Sequence, residues 1–153
     1  MEIPDVHGEL TLQMPAWNAL YQIRDFSSHV QQVEAFADGQ KIAIEKLDKL
    51  TWQVKASGTI TVKYATFWDD VGPFNSQLNA EHAFINPAMI LLYVPDRRGE
   101  TCLIGLTEVP QEWKVATAAV PFTTYAGNVG ATSSFQSFEA KSFDTLADSP
   151  IEV

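Results

Sequence analysis

The chain has 153 residues, of which 46% are hydrophobic, and its formal net charge is −9. This length suits one domain with its own core, and this composition excludes a disordered chain. The acidic balance argues against a nucleic-acid partner, because phosphate binding requires clustered lysine and arginine. The longest apolar run, residues 88–94, is too short to span a membrane, and no N-terminal stretch has the pattern of a signal peptide. We therefore expect a soluble domain of the cytoplasm or the periplasm.

Alternating apolar and polar side chains dominate the first half of the chain. Asp38-Gly39 lies between two apolar runs and predicts a β-hairpin. Residues 52–64 alternate with a period of two, which indicates half-buried strands. Ser57-Gly58 in the middle of this stretch predicts a turn between two separate strands.

Strand signals continue in the second half. Residues 88–94 are apolar on both faces and predict a central strand that is covered on both sides. Arg97-Arg98-Gly99 then predicts a turn into a strand at residues 101–109. Strands that recur at short intervals with turns between them predict an all-β, mostly antiparallel fold, either a sandwich or large curved sheets.

Helix signals are few. Residues 16–29 fit either a helix or an irregular aromatic loop, and residues 143–147 fit one helical turn. Residues 69–79 and 123–134 are polar and predict loops, of which we expect the second to be mobile.

Known catalytic and metal-binding motifs are missing from the sequence. The single cysteine, Cys102, excludes an intrachain disulfide and a cysteine-based zinc site, and its apolar neighbours predict a buried, unreactive thiol. The three histidines, His7, His29 and His82, are far apart and form no His-Glu-x-x-His motif. Neither a Gly-x-Ser-x-Gly segment nor a glycine-rich phosphate loop occurs. These residues by themselves indicate a binding or structural β domain.

The tryptophans leave a choice between a binding surface and a core. If exposed, they would form a stacking platform for sugars, but their period-two neighbours favour packing in the core. The four are Trp17, Trp52, Trp68 and Trp113.

Five blocks in order along the chain resemble segments of the glycyl aminopeptidase-like metallopeptidases (metallopeptidase family 61). They lie at residues 14–26 (Met-Pro-Ala-Trp, then Tyr-Gln-Ile-Arg-Asp-Phe), 46–52 (Lys-Leu-Asp-Lys-Leu-Thr-Trp), 81–86 (Glu-His-Ala-Phe-Ile-Asn), 110–117 (Pro-Gln-Glu-Trp-Lys-Val-Ala-Thr) and 138–150 (Phe-Glu-Ala through Leu-Ala-Asp-Ser-Pro). Each block is short, but the ordered set spans nearly the whole chain.

The resemblance implies a layout in which an N-terminal β domain precedes a thermolysin-like catalytic domain that carries His-Glu-x-x-His and zinc. Residues 1–153 would then be a single non-catalytic domain of a zinc aminopeptidase, with the catalytic domain expected beyond residue 153. This domain would pack against the catalytic domain of the same polypeptide and wall one side of the cleft that binds the peptide substrate. Zinc is implied for the catalytic domain and not for this chain.

The resemblance also points to individual residues near the end of the chain. Glu139 and Gln136 are similar in place to a Gln-x-Glu-Ala segment with which aminopeptidase N helps to hold the substrate α-amine, although Gln136 is one residue early. The alternative for Glu139 is an ordinary exposed strand residue. Asp144 and Asp148 suit helix-end caps, and Asp148 before Ser149-Pro150 would fix the direction of the chain at the domain junction.

Two departures from the family pattern stand out. Residues 18–20 are Asn-Ala-Leu where the family has Thr-Pro-Gly-Ser, and the family's first strand is missing or shortened, which predicts an exposed sheet edge. Two other functions stay open: a free-standing β-sandwich module that binds sugar or a protein partner, and a remnant that has lost its catalytic half. An apolar face left bare by a missing domain also predicts self-association.

Overall fold

A computed structural model of the chain describes residues 1–16, 23–70, 72, 75–110, 112–122 and 134–153, without the side chains of residues 134 and 135. Over these residues it contains twelve β-strands, two short α-helices and two 3-10 helices. The strands are β1 (Glu2–Gln13), β2 (Val30–Ala37), β3 (Gln40–Ile42), β4 (Ile44–Lys46), β5 (Thr51–Thr66), β6 (Gln77–Leu78), β7 (Ala83–Ile85), β8 (Cys102–Val109), β9 (Ala116–Thr117), β10 (Val120–Pro121), β11 (Ser134–Ala140) and β12 (Ile151–Glu152). The α-helices are α1 (Pro87–Ile90) and α2 (Phe143–Ala147), and the 3-10 helices are Phe26–His29 and Pro95–Arg97.

The chain divides into two compact units. The first comprises Met1–Trp68 with Ala88–Arg97, and the second comprises Asp69–Pro87 with Arg98–Val153. All pairs between the named strands are antiparallel over the described residues. The predicted class, mostly antiparallel β with one short helical turn near the C-terminus, is therefore confirmed. No helix within the described ranges has the length and apolar character needed to cross a membrane.

One sheet of five strands forms the first unit. The long strand β5 pairs with β1 along one side and with β4 and then β2 along the other, and β3 continues from β2. This order leaves β1 at the edge of the described sheet. The apolar side chains of β5 point alternately into the core, where Val54, Ile60 and Val62 are buried.

The predicted turn at Ser57-Gly58 is wrong, because residues 51–66 form a single strand. Gly58 has a φ of 93°, a backbone conformation that glycine adopts without steric cost. It lies next to a β-bulge, where two residues of β1, Pro4 and Asp5, oppose one residue of β5. Pairing with β1 on both sides of the bulge carries the strand through a dipeptide whose local preference is a turn.

The predicted hairpin at Asp38-Gly39 is confirmed. These two residues connect β2 and β3 and have φ values of 49° and 74°, as a two-residue type I′ turn requires.

The predicted central strand at residues 88–94 is also wrong. Its first residues belong to α1, and Tyr93 then exchanges two backbone hydrogen bonds of 2.9 Å with Gln13. A run that is apolar throughout carries no period that separates strand from helix. Pro87 at the first helical position favours the helix. An N–H group at this position has no acceptor within the helix, so proline, which lacks the N–H, loses no hydrogen bond there. The turn predicted at Arg97-Arg98-Gly99 is present.

Two small sheets form the second unit. In one, β11 lies between β8 and β10, and in the other the order is β6-β7-β12-β9. The strand predicted at residues 101–109 is β8. The one-turn helix predicted at residues 143–147 is α2, which is capped by Ser142: its hydroxyl accepts a hydrogen bond from the backbone N–H of Thr145.

Two predictions fall partly or mainly outside the described residues. Of residues 16–29, the structure describes a 3-10 helix at Phe26–His29 but not residues 17–22. The polar loop expected at residues 123–134 lies outside the description up to residue 133, whereas Ser134 begins β11.

Candidate functional site

Glu139 lies on the central strand of the three-stranded sheet. In the strand register it stands directly opposite Leu103 of β8 on one side and Val120 of β10 on the other. Residues directly opposite in antiparallel strands have Cβ atoms about 5 Å apart and project from the same face of the sheet. We call the face defined by Leu103, Gly105, Val120, Ser137 and Glu139 the Glu139 face.

The other face of the same sheet points into the core. Phe138 and Ala140, which flank Glu139 in sequence, are buried. On β8 the half-buried residues Cys102 and Ile104 alternate with exposed positions. Leu103 and Val120, near the starts of the two outer strands, are 60% and 63% exposed. The Glu139 face thus presents a carboxylate between two uncovered apolar side chains.

Glu139 is half-buried, and its carboxylate has no hydrogen bond or ion pair with any other residue that the structure describes. In the next row Ser137 lies between the small Gly105 on β8 and the large Phe122, whose backbone N–H donates to the Ser137 carbonyl. The Ser137 hydroxyl donates its hydrogen bond to the backbone carbonyl of Phe122. A carboxylate without a partner among the described residues is suited to accept hydrogen bonds from a cationic group.

Gln136, the other residue predicted to bind substrate, is not brought together with Glu139. It pairs with Leu106 and lies three positions before Glu139 on a regular stretch of β11. Because side chains alternate along a strand, the two project from opposite faces of the sheet.

The three residues predicted at the domain junction are exposed and lie around α2. Asp144 is in the first turn of α2, where its carboxylate accepts a hydrogen bond of 2.6 Å from the Arg98 guanidinium. Asp148 is the C-terminal cap residue, and its backbone N–H donates to the carbonyl of Asp144. Pro150 precedes β12, whose Ile151 is fully buried between β7 and β9. The strand β12 near the end of the sequence therefore pairs on both sides within the four-stranded sheet.

The histidines provide no metal site within the part of the chain that the structure describes. No three His, Cys, Asp or Glu residues there are grouped closely enough to hold an ion. The Nε2 atom of His82 lies 3.3 Å from Oε1 of Glu152, and the His29 ring stacks on the Trp68 ring with the ring centroids 3.6 Å apart.

The described tryptophans do not form a stacking platform. Trp52 is buried at 4% exposure, while Trp68 is half-buried and has one ring face against His29. Trp113 is also half-buried, and Trp17 lies outside the described residues.

Cys102 is half-buried rather than fully buried. Burial raises the pKa of its thiol, and the nearby Glu100 carboxylate raises it further. A raised pKa reduces the thiolate fraction, in keeping with the predicted low reactivity.

Sequence reasoning missed Leu103 and Val120. Leu103 stands in the apolar run Cys102-Leu103-Ile104, which suggests burial for all three residues. The exposure follows from the alternation of β8, and the proximity to Glu139 follows from a register between strands that are distant in sequence.

Comparison with known proteins gives a family match and a match to solved structures. Residues 1–153 match the family described as Peptidase M61 N-terminal domain. The fold is similar to a crystal structure of an aminopeptidase N family protein from Idiomarina loihiensis, with a TM-score of 0.86 and 28% sequence identity. The similarity covers 99% of this chain and 25% of that protein, so the chain spans about a quarter of the length of this relative. No curated protein matches the sequence.

Proposed function

The chain belongs to the Peptidase M61 N-terminal domain family, and on that premise we propose that it is the non-catalytic N-terminal domain of a zinc-dependent aminopeptidase. In this proposal it packs against the metallopeptidase domain of the same polypeptide and forms one wall of the substrate cleft. The family match over the whole chain and the similarity to an aminopeptidase N family protein support the proposal.

The observation that carries the proposal is the Glu139 carboxylate, which has no partner among the described residues and stands between two exposed apolar side chains. An aminopeptidase has to recognise the ammonium group at the amino end of its substrate. A carboxylate and an ammonium form a charge-assisted hydrogen bond, and their attraction grows when water is excluded from around them. We assign to Glu139 the role of holding that ammonium group, while Gln136 projects from the opposite face and is given no role in it.

Zinc does not fit the residues that the structure describes in this chain, since no group of three possible ligands occurs among them. The metal would be held by the catalytic domain, where it would polarise the scissile carbonyl and activate water. This chain's part in the reaction is confined to binding and orienting the substrate.

Kinetics of the complete gene product test the role of Glu139. For a free-amine aminoacyl substrate we expect Glu139→Gln to raise KM about tenfold to hundredfold, because a hydrogen bond to a charged group is lost. The matched control is Glu81→Gln, an exposed glutamate away from the Glu139 face, which should leave KM unchanged. An unchanged KM in Glu139→Gln would remove Glu139 from amine recognition.

A second experiment tests the parent enzyme class. A zinc chelator should abolish aminopeptidase turnover by the complete gene product, and added zinc should restore it. The 153-residue chain by itself should show no turnover. Chelator-sensitive turnover by that chain would contradict the assignment of catalysis to another domain.

A further inference from the structure

We propose that Leu103 and Val120 are the contacts through which this domain docks on the catalytic domain of the parent polypeptide, so that the docked domain spans Glu139 and encloses its carboxylate. This inference rests on the proposed function and specifies which surface makes the interface.

The spacing of the strands gives the surface its shape. Leu103 and Val120 lie on the two outer strands of the three-stranded sheet, with Glu139 on the strand between them. Strands in a sheet are about 4.8 Å apart, which separates the two apolar side chains by about 10 Å. A partner that rests on both would leave a gap over Glu139 wide enough for an ammonium group.

The next row of the sheet opens the gap on the side of β8. Gly105 lies opposite Ser137 there, and both are small, whereas Phe122 lies opposite Ser137 on the other side and donates its backbone N–H to the Ser137 carbonyl at 2.8 Å. Together the two rows form a channel with apolar walls at Leu103 and Val120 and an acidic floor at Glu139. Covering the walls removes water from around the carboxylate, which strengthens its attraction for a cation.

The apolar character of the surface and the family of the chain identify the part of the protein that covers Leu103 and Val120. Leu103 and Val120 are exposed on the same face of the sheet, on the strands that flank Glu139, and an exposed apolar surface with a polar group in it is typical of a site that another part of a protein covers. Family members of this kind are N-terminal domains of peptidases, and the aminopeptidase N family relative has about three quarters of its chain outside the matched region. A catalytic domain of the same polypeptide is therefore the partner that fits.

A second copy of this chain fits the surface less well. A two-fold symmetric contact uses the same patch on both copies and would bring the two Glu139 carboxylates close together. The formal net charge of −9 on each chain adds to the repulsion. Self-association, which the bare apolar face suggests, is thus disfavoured at this face.

Thiol labelling of the complete gene product tests the proposal without relying on activity. All variants carry Cys102→Ser and serine in place of any cysteine outside residues 1–153, so that the introduced thiol can be followed by its rate of reaction with a small maleimide. The test variants are Leu103→Cys and Val120→Cys, and the matched control is Leu78→Cys. Leu78 is in the same unit and is 69% exposed, close to the 60% and 63% of the test positions. Each rate is divided by the rate of the same variant in urea, which removes differences in intrinsic reactivity.

We expect the thiols at positions 103 and 120 to react at least about tenfold more slowly than the thiol at position 78, because thiol reaction requires access. Equal rates at the three positions would overturn the proposal. Protection that disappears on dilution would also overturn it, because the occupant would then be a second copy. If protection is found but the protein has no peptidase activity, the proposed function fails while the docking surface stands.

Discussion

The two units of the domain place their apolar side chains differently. The first unit uses long strands, of 12 residues in β1 and 16 in β5, and six of the eight largest fully buried side chains among the described residues belong to it. The strands of the second unit have two to eight residues, and two of them carry Leu103 and Val120 uncovered. Burial in the first unit therefore does most to stabilise the fold. Large apolar side chains are exposed in both units, among them Ile23 and Phe67 in the first, and what distinguishes Leu103 and Val120 is that they flank Glu139 on one sheet.

The largest effect should come from testing this difference with the same substitution in each unit. Leu12→Ala removes a side chain with 0% exposure from β1 and should cost about 2–5 kcal/mol in the free energy of unfolding, through lost burial and an unfilled cavity. Leu103→Ala should change it by less than about 0.5 kcal/mol, as is usual for surface positions. Urea denaturation of the two variants measures both values, and a similar loss in both would break the comparison.

Backbone conformation offers a second, smaller contrast. Gly58 in the first unit has a φ of 93°, whereas Gly99 in the second unit has no such φ and no atom within 4 Å of an added Cβ. Gly58→Ala should destabilise the domain by about 1–2 kcal/mol, because a side chain disfavours left-handed backbone. Gly99→Ala is the matched control and should be close to neutral. If both substitutions are neutral, β5 does not need glycine at the bulge.

The elements that could be predicted from the sequence are those that local patterns determine. Asp38-Gly39 specifies its hairpin by turn chemistry, and the period of two marks both halves of β5. Residues 88–94 were mispredicted because they are apolar throughout, which leaves no period that separates strand from helix. Ser57-Gly58 was mispredicted because a neighbour distant in sequence overrides the local preference: pairing with β1 extends β5 through the glycine.

The same reason limits prediction of the candidate site. Glu139 could be identified from a family resemblance in consecutive residues. Leu103 and Val120 could not, because they meet Glu139 only through a register between β8, β10 and β11 that no local pattern specifies.

A smaller effect is expected at the helix of the second unit. Ser142→Ala removes the hydroxyl that caps α2 and should cost about 1 kcal/mol of unfolding free energy. Ser142→Thr keeps a hydroxyl acceptor and should retain most of the stability, which separates the cap from other effects of the substitution. Thermal denaturation compares the two. Equal losses would show that the cap hydrogen bond does not stabilise this unit.

The smallest effect concerns pH and returns to the first unit. The Asp48 carboxylate accepts a hydrogen bond of 2.8 Å from the backbone N–H of Leu50 at the entry to β5, and this bond holds the pKa of Asp48 below its usual value. A carboxyl group whose pKa is lower in the folded state stabilises the fold fully above its unfolded pKa of about 3.9, and this contribution is lost as the pH falls through the lower, folded pKa.

Asp48→Asn keeps an acceptor oxygen but cannot titrate. The variant should therefore lose less stability than the parent chain between neutral pH and the acid side of about pH 4. Denaturant midpoints measured across this range test the expectation. Parallel pH profiles would mean that water replaces the hydrogen bond at this exposed site without cost, and that the entry to β5 depends on strand pairing alone.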